Sequence, residues 1–218
     1  MTSNTPIALV TGASSGIGEA SAKRLEQAGY KVYGTSRRGA QAAQGTIRML
    51  ALDVTDDTSV AAAVSELIRL EGRIDLLVNN AGIGIAPAGA EESSIEQAQA
   101  LFDTNFFGMV RMTRAVVPHM RRQGSGRIIN IGSILGVVPM PYIALYVASK
   151  HAVEGYSEAL DHELQQAGLH QWEPDLALEV LRLLHSCCEL LPQNHAVRER
   201  KDEVYRRLCH LDLEVVLE

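Results

Sequence analysis

The chain has 218 residues, 46% of them hydrophobic and 21% charged, with a formal net charge of -6. That length holds one domain with a sizeable core and is short for two. The mildly acidic balance excludes a basic footprint for nucleic acid, and no apolar run nears the ~18 residues of a membrane span.

Ile7–Val10 reads as a buried strand, and Gly16–Ala28 as a helix ending at Gly29. Lys31–Thr35 is a second strand and Met49–Val54 a third, with at most a brief helix between Ser36 and Arg48. Asp57–Glu71 follows as a helix: Asp56 or Asp57 can cap it, and Val60, Val64, Leu67 and Ile68 share one face. Leu76–Val78 is a fourth strand, Ser94–Arg122 one long helix, Arg127–Ile131 a fifth strand and Tyr146–Gln166 a further helix. Strands that are apolar on both faces and alternate with helices predict an α/β fold, a Rossmann-like doubly wound parallel sheet.

After Gly168 the text changes. All 18 glycines lie at or before that residue, while all three cysteines (Cys187, Cys188, Cys209) and Trp172 lie after it. An α/β domain uses glycine at tight strand–helix junctions, so the chain divides into an α/β domain, 1–168, and a divergent, helical tail, 169–218. The cysteines have neither a zinc spacing nor a disulfide framework, and no metal site is expected. The N-terminal apolar run is too short for a signal-peptide core, so a cytoplasmic location is expected.

Thr11-Gly-Ala-Ser-Ser-Gly-Ile-Gly18 directly follows the first strand and opens the first helix. Glycines there permit a tight turn and close backbone approach, so that helix N–H groups face a pyrophosphate. Gly12, Ser14, Ser15, Gly16, Ile17 and Gly18 are the candidate cofactor-binding residues of this loop. At the end of the second strand a carboxylate would suit the ribose 2′-hydroxyl of NAD, whereas arginine suits the 2′-phosphate of NADP. This chain carries Arg37 and Arg38 and no acidic residue there, which favours NADP over NAD.

Gly12-x-x-x-Gly16-x-Gly18, Asn79-Asn80-Ala81-Gly82, Ser133 and Tyr146-x-x-x-Lys150 resemble, in that order, the motif series of the short-chain dehydrogenases/reductases. Asn105, in Asn-Phe-Phe-Gly, is similar to that family's helix-borne asparagine, and the resemblance covers about residues 5 to 168. It implies that Asp53 and Val54 border the adenine, that Asn80, Ala81 and Gly82 line the cofactor, and that Asn105 holds a water linking Lys150 to solvent. It also implies a homo-oligomer, a dimer or tetramer, paired through the Ser94–Arg122 and Tyr146–Gln166 helices.

Asn105, Ser133, Tyr146 and Lys150 are therefore the candidate catalytic residues. On a helix, Tyr146 and Lys150 at i, i+4 share one face. A phenol titrates near 10, too high for efficient exchange at neutrality, and a nearby ammonium stabilises its phenolate. Tyr146 would donate a proton in carbonyl reduction and accept one in alcohol oxidation, with Ser133 polarising the substrate oxygen. Lys150 would also donate to the nicotinamide ribose, as the resemblance implies. His151, the next residue along the helix, points elsewhere and is given a structural role.

The loops bordering the presumed cleft, with Ile83, Ile85 and Pro87 on one side and Ile134 through Tyr142 on the other, suit a lipophilic ketone or secondary alcohol as well as they suit covering a core. Beyond Gly168 the family's next strand, its proline–glycine turn and its substrate loop find no counterpart; Pro174 is early and Asp175 stands where glycine is expected. A frameshift, splice variant or fusion would account for such a tail. Two readings stay open: an active NADP(H)-dependent oxidoreductase, or a catalytically impaired cofactor-binding or interaction protein lacking a complete substrate site.

Overall fold

The computed structural model describes residues 5–39 and 47–166. Five strands form one sheet: β1 (Ile7–Val10), β2 (Lys31–Ser36), β3 (Arg48–Ala51), β4 (Leu76–Asn79) and β5 (Arg127–Asn130). Their order is β3-β2-β1-β4-β5, with every pairing parallel. The helices between them are α1 (Gly16–Gln27), α2 (Asp57–Glu71), α3 (Ile95–Phe102), α4 (Gly108–Gln123) and α5 (Ala144–Gln166). Parallel neighbours need crossovers, which is why strand and helix alternate. The predicted α/β fold and doubly wound sheet are borne out.

Residues of one strand point alternately to opposite faces. Ile7, Leu9 and Leu77 join Val60, Val64 and Leu67 of α2 and Met112, Val116 and Met120 of α4 in one core. Their neighbours Ala8, Val10, Leu76 and Val78 are buried too. At roughly 25 cal/mol per Å² of apolar surface removed from water, burial of both faces of these strands stabilises the fold. β5 is half-buried along its whole length.

Two predicted elements are corrected. The strand expected over Met49–Val54 spans Arg48–Ala51. Asp53 ends it by folding back on its own loop: its carboxylate accepts from the N–H and hydroxyl of Thr55 at 2.9 and 2.7 Å, and its N–H donates to Ser59 Oγ. The single helix expected over Ser94–Arg122 is broken by a π-helical turn, Asp103–Phe107, between α3 and α4. Arg111 bridges that turn, pairing with Asp103 at 2.7 Å and with Asp57 of α2 at 3.0 Å. The remaining limits shift by one or two residues, as helix and strand ends do. The region 40–46 and the tail, 169–218, lie outside the described residues.

Register sets what comes next. Val10 pairs with Gly34 and Val78, and Asn79 with Asn130, so the chain leaves β1, β2, β4 and β5 along one edge of the sheet. That carboxyl edge is where open α/β sheets bind ligands. No helix of the described residues is long and apolar enough to cross a membrane, and these residues hold no group of three metal-ligating side chains.

Candidate active site

The glycine loop is built where β1 hands over to α1. Gly12 has φ +66°, and a Cβ there would lie 3.0 Å from Ala81 Cα. A side chain at Gly18 would run into the Gly12 carbonyl and the Asn80 amide. The loop and the Asn80–Ala81 segment therefore pack backbone to backbone. Thr11, which sequence reasoning used only to mark the motif, locks them: its Oγ1 accepts from Asn80 N–H at 2.9 Å and Ala81 N–H at 3.0 Å. Asn80 Nδ2 in turn donates to the carbonyls of Thr11 and Gly12. Ser15, the N-cap of α1, is extended and caps no N–H with its side chain among the described residues. The first-turn amides of α1 thus face the loop, as a pyrophosphate site requires, and Gly12 to Gly18 fit a dinucleotide.

Arg37 and Arg38 follow β2 immediately and are exposed. Asp53 sits beyond β3, its carboxyl held below the ordinary carboxylate range by the two Thr55 donors, with the Arg37 charge acting in the same direction. Val54 is buried under α4, where a Cβ at Gly108 would meet it at 2.7 Å. Gly82 is exposed beside Asn105.

On the other side of β4, α5 brings Tyr146 and Lys150 to the edge of the sheet. Lys150 Nζ stands 5.9 Å from the centre of the Tyr146 ring and donates to the Ile131 carbonyl at 2.8 Å. Lys150 is buried, which pulls its pKa below that of a free lysine, while the Glu154 carboxylate opposes the shift. Ser133 caps a short 3-10 turn, Ile134–Gly136, and its Oγ accepts from Leu135 N–H at 3.2 Å. Accepting that bond leaves the hydroxyl hydrogen free to donate. Ser133, Tyr146 and Lys150 all belong to the 131–136 loop or to the helix packed on it.

Asn105 reaches this cluster through the π turn, whose extra residue turns it inward. Its amide is taken up by the Ile83 backbone, accepting from N–H at 2.7 Å and donating to C=O at 2.9 Å, with a longer bond to Ser149 Oγ. The side chain thus holds the loop after Gly82. A small cavity of about 10 Å³ lies beside it, lined among others by Thr11, Asn79, Asn105 and Lys150. His151 points away: it is exposed, with Nδ1 2.9 Å from the Val147 carbonyl oxygen.

Two further residues, Asn130 and Glu154, went unseen in the sequence, and Asn79 was named there only as part of its motif. Asn79 and Asn130 end adjacent strands and bond side chain to side chain at 2.9 Å, and Asn130 continues to Ser157 on α5 at 2.9 Å. A polar residue closing each of two apolar strands was the available signal. Glu154 lies one turn past Lys150, and the i, i+4 spacing already used for Tyr146 and Lys150 extends to it.

The apolar loops meet as foreseen in part. Ile85, Tyr142, Ile143 and Leu145 line a cavity of about 70 Å³. Tyr142 spans it with a left-handed backbone, φ 66°, and its carbonyl accepts from Ala88 N–H at 2.7 Å. Ile83, at 43% exposed, lies outside that lining.

Comparison with known proteins agrees with this geometry. A family model described as short chain dehydrogenase matches residues 6–170. A 3-ketodihydrosphingosine reductase from Bacteroides thetaiotaomicron is 51% identical over 158 residues, 72% of this chain and 58% of that protein. The chain thus spans less than two thirds of that relative's length. Among solved structures, a 3-ketoacyl-(acyl-carrier-protein) reductase from Brucella melitensis complexed with NADH aligns with TM-score 0.72 and 35% identity, covering 76% of this chain and 72% of its own. An actinorhodin polyketide ketoreductase with NADPH aligns with TM-score 0.72 and 34% identity, covering 76% and 67%.

Proposed function

The chain belongs to the short-chain dehydrogenase family, and from that premise we propose that it is a cytoplasmic, homo-oligomeric oxidoreductase that uses NADP(H) to interconvert a lipophilic ketone and its secondary alcohol. One observation carries the reading: a buried Lys150 beside the Tyr146 ring, with a Ser133 hydroxyl free to donate, on the carboxyl edge of the sheet. When bound, the nicotinamide supplies or takes the hydride.

The protein's own groups do the rest. Ser133 Oγ donates a hydrogen bond to the substrate oxygen and so stabilises negative charge as it develops there. Tyr146 Oη gives that oxygen its proton in reduction and recovers it in oxidation. Lys150 spends one of its three N–H donors on Ile131, which holds its cation beside the Tyr146 ring and leaves two donors for the cofactor ribose. Gly12 to Gly18 would hold the pyrophosphate, Asp53 and Val54 the adenine, and Arg37 and Arg38 the 2′-phosphate.

The relative that reduces 3-ketodihydrosphingosine and the apolar lining by Ile85, Ile143 and Leu145 support a lipophilic substrate. The test is NADPH binding, followed by NADPH oxidation across a panel of lipophilic ketones with Tyr146→Phe as control. Replacing both Arg37 and Arg38 by Glu should cost NADPH about 10- to 100-fold in affinity relative to NADH, from the loss of charge-assisted bonds worth roughly 1.5–3 kcal/mol. No loss of preference would remove NADP from the reading.

A second reading rests on the sequence after Gly168, which offers no counterpart of the family's proline–glycine turn: a cofactor-binding or interaction protein. Tight NADPH binding without turnover would favour it.

A further inference from the structure

Glu154 has no part in the reaction drawn above, yet it occupies a place few surface carboxylates do. It is half-buried on α5, one turn beyond Lys150, beneath the loop that carries Ser133. The two glycines flanking that loop are packed against it. A Cβ at Gly132 would collide with Glu154 Oε1, and one at Gly136 would lie 2.9 Å from both Cγ and Oε1. That same Gly136 position is 3.0 Å from the Lys150 carbonyl oxygen, so the loop rests on α5 between Lys150 and Glu154.

The hydrogen bonds explain what the seat is for. Within the loop, Ser133 C=O accepts from Gly136 N–H, Ile134 C=O from Val137 and Val138 N–H, and Ser133 Oγ from Leu135 N–H. These fix the loop's shape but tie it to nothing else. Two side chains of α5 supply the ties. Lys150 donates to the carbonyl of Ile131, and the Glu154 carboxylate packs on the loop backbone beside the Ser133 amide. A cation takes the carbonyl, and four residues later a carboxylate faces the backbone further along the loop. Burial pushes the Glu154 carboxyl up, while the Ser133 amide and the Lys150 charge pull it back toward the ionised form. Lys150, His151 and Glu158, all on α5, are the charged and titratable groups acting on it, and the loop contributes backbone alone.

We propose that Glu154 is a positioning residue for Ser133: its carboxylate seats the 132–136 loop on α5 and so sets the Ser133 hydroxyl against the Tyr146 and Lys150 carried by the same helix. The inference rests on the oxidoreductase reading for what Ser133 does, but the seat itself is a statement about structure.

The test compares Glu154→Ala, Glu154→Asp and Glu154→Gln, each alone and with Ser133→Ala. It reads kcat and KM with NADPH and a lipophilic ketone, and amide hydrogen exchange at Ser133. Misplacing a reacting group by about 1 Å can cost on the order of 100-fold, so Glu154→Ala should lower kcat about 10- to 100-fold while KM for NADPH stays within about twofold. Glu154→Gln keeps an acceptor of the same reach and should recover to within about threefold of wild type. Glu154→Asp keeps the charge but retracts it by one methylene, and should lose about fivefold or more with faster Ser133 exchange. In the Ser133→Ala background, removing Glu154 should cost less than about twofold, because neighbours that act as one do not add.

Unchanged kcat in the Ala variant, or a cost that adds fully to that of Ser133→Ala, overturns the proposal. Should the Ala variant fail to fold, wild-type behaviour of Glu154→Asp in both readouts overturns it equally. A wild-type chain that binds NADPH but turns nothing over defeats the oxidoreductase reading instead. Ser133 exchange in the Asp and Gln variants then still decides the seat.

Discussion

Replacing Asn105 by Ala should destabilise the domain through a loop it does not belong to. The amide holds both polar groups of Ile83, at 2.7 and 2.9 Å, from a side chain that is 4% exposed. Its removal leaves an N–H and a C=O without their partners, at about 1–3 kcal/mol each when buried. Ile83 itself is 43% exposed, so water recovers part of this and the lower half of the range applies, about 2–4 kcal/mol in total. For a chain of this size each kcal/mol moves Tm by roughly 2–4 °C, so the loss should be roughly 4–16 °C by calorimetry.

Asn105→Asp sharpens the test. Its carboxylate can still accept from the Ile83 N–H, but it opposes the Ile83 carbonyl oxygen. Protonation restores the donor, so the folded state raises this carboxyl above its usual value near 3.9. A raised folded-state pKa means that stability is present at low pH and lost as pH rises through that value. The Asp variant should therefore approach wild type below about pH 4 and fall furthest behind at pH 7. An Ala variant within 1 °C of wild type, or an Asp variant with a constant deficit across pH, would refute the assignment of Asn105 to the Ile83 loop.

Two further outcomes follow from buried charge and backbone strain. Lys150→Met should leave the cofactor-free protein as stable as wild type or more so, because burial disfavours the lysine charge, while turnover falls at least about 1000-fold as the cation beside Tyr146 is lost. Because the folded pKa of Lys150 is lowered, wild type should gain stability relative to this variant as pH rises toward 10.5, measured by urea unfolding; a flat difference would contradict that sign. Tyr142→Gly should be neutral or stabilising by up to about 1 kcal/mol despite removing a large side chain, since Tyr142 is 69% exposed and its φ of 66° costs an L-residue about 1–2 kcal/mol. A loss above about 1 kcal/mol would show instead that the ring packs usefully.

The elements that sequence reasoning placed well are those whose signal is local. The apolar runs at Ile7–Val10 and Leu76–Val78 are central strands, and the Thr11–Gly18 turn lies where a strand must hand over to a helix. What it missed depends on partners distant in the chain. A hydrophobic period carries straight through Asp103–Phe107, so nothing local announces a π turn braced by Arg111. The early end of β3 depends on Asp53 preferring its own Thr55 to a strand ladder, a choice that short polar side chains often make.

Taken alone, the sequence determined the α/β alternation, the glycine turn after the first strand and the order and spacing of Ser133, Tyr146 and Lys150, because residue type, order and helical spacing are properties of neighbours along the chain. Only the tertiary structure decided what those residues rest on. Asn105 is bound to Ile83, Thr11 to Asn80 and Ala81, and Glu154 is packed against the loop of Ser133. Each pair is separated by some twenty to seventy positions, and no pattern of local periodicity encodes a contact that the sheet's own register creates.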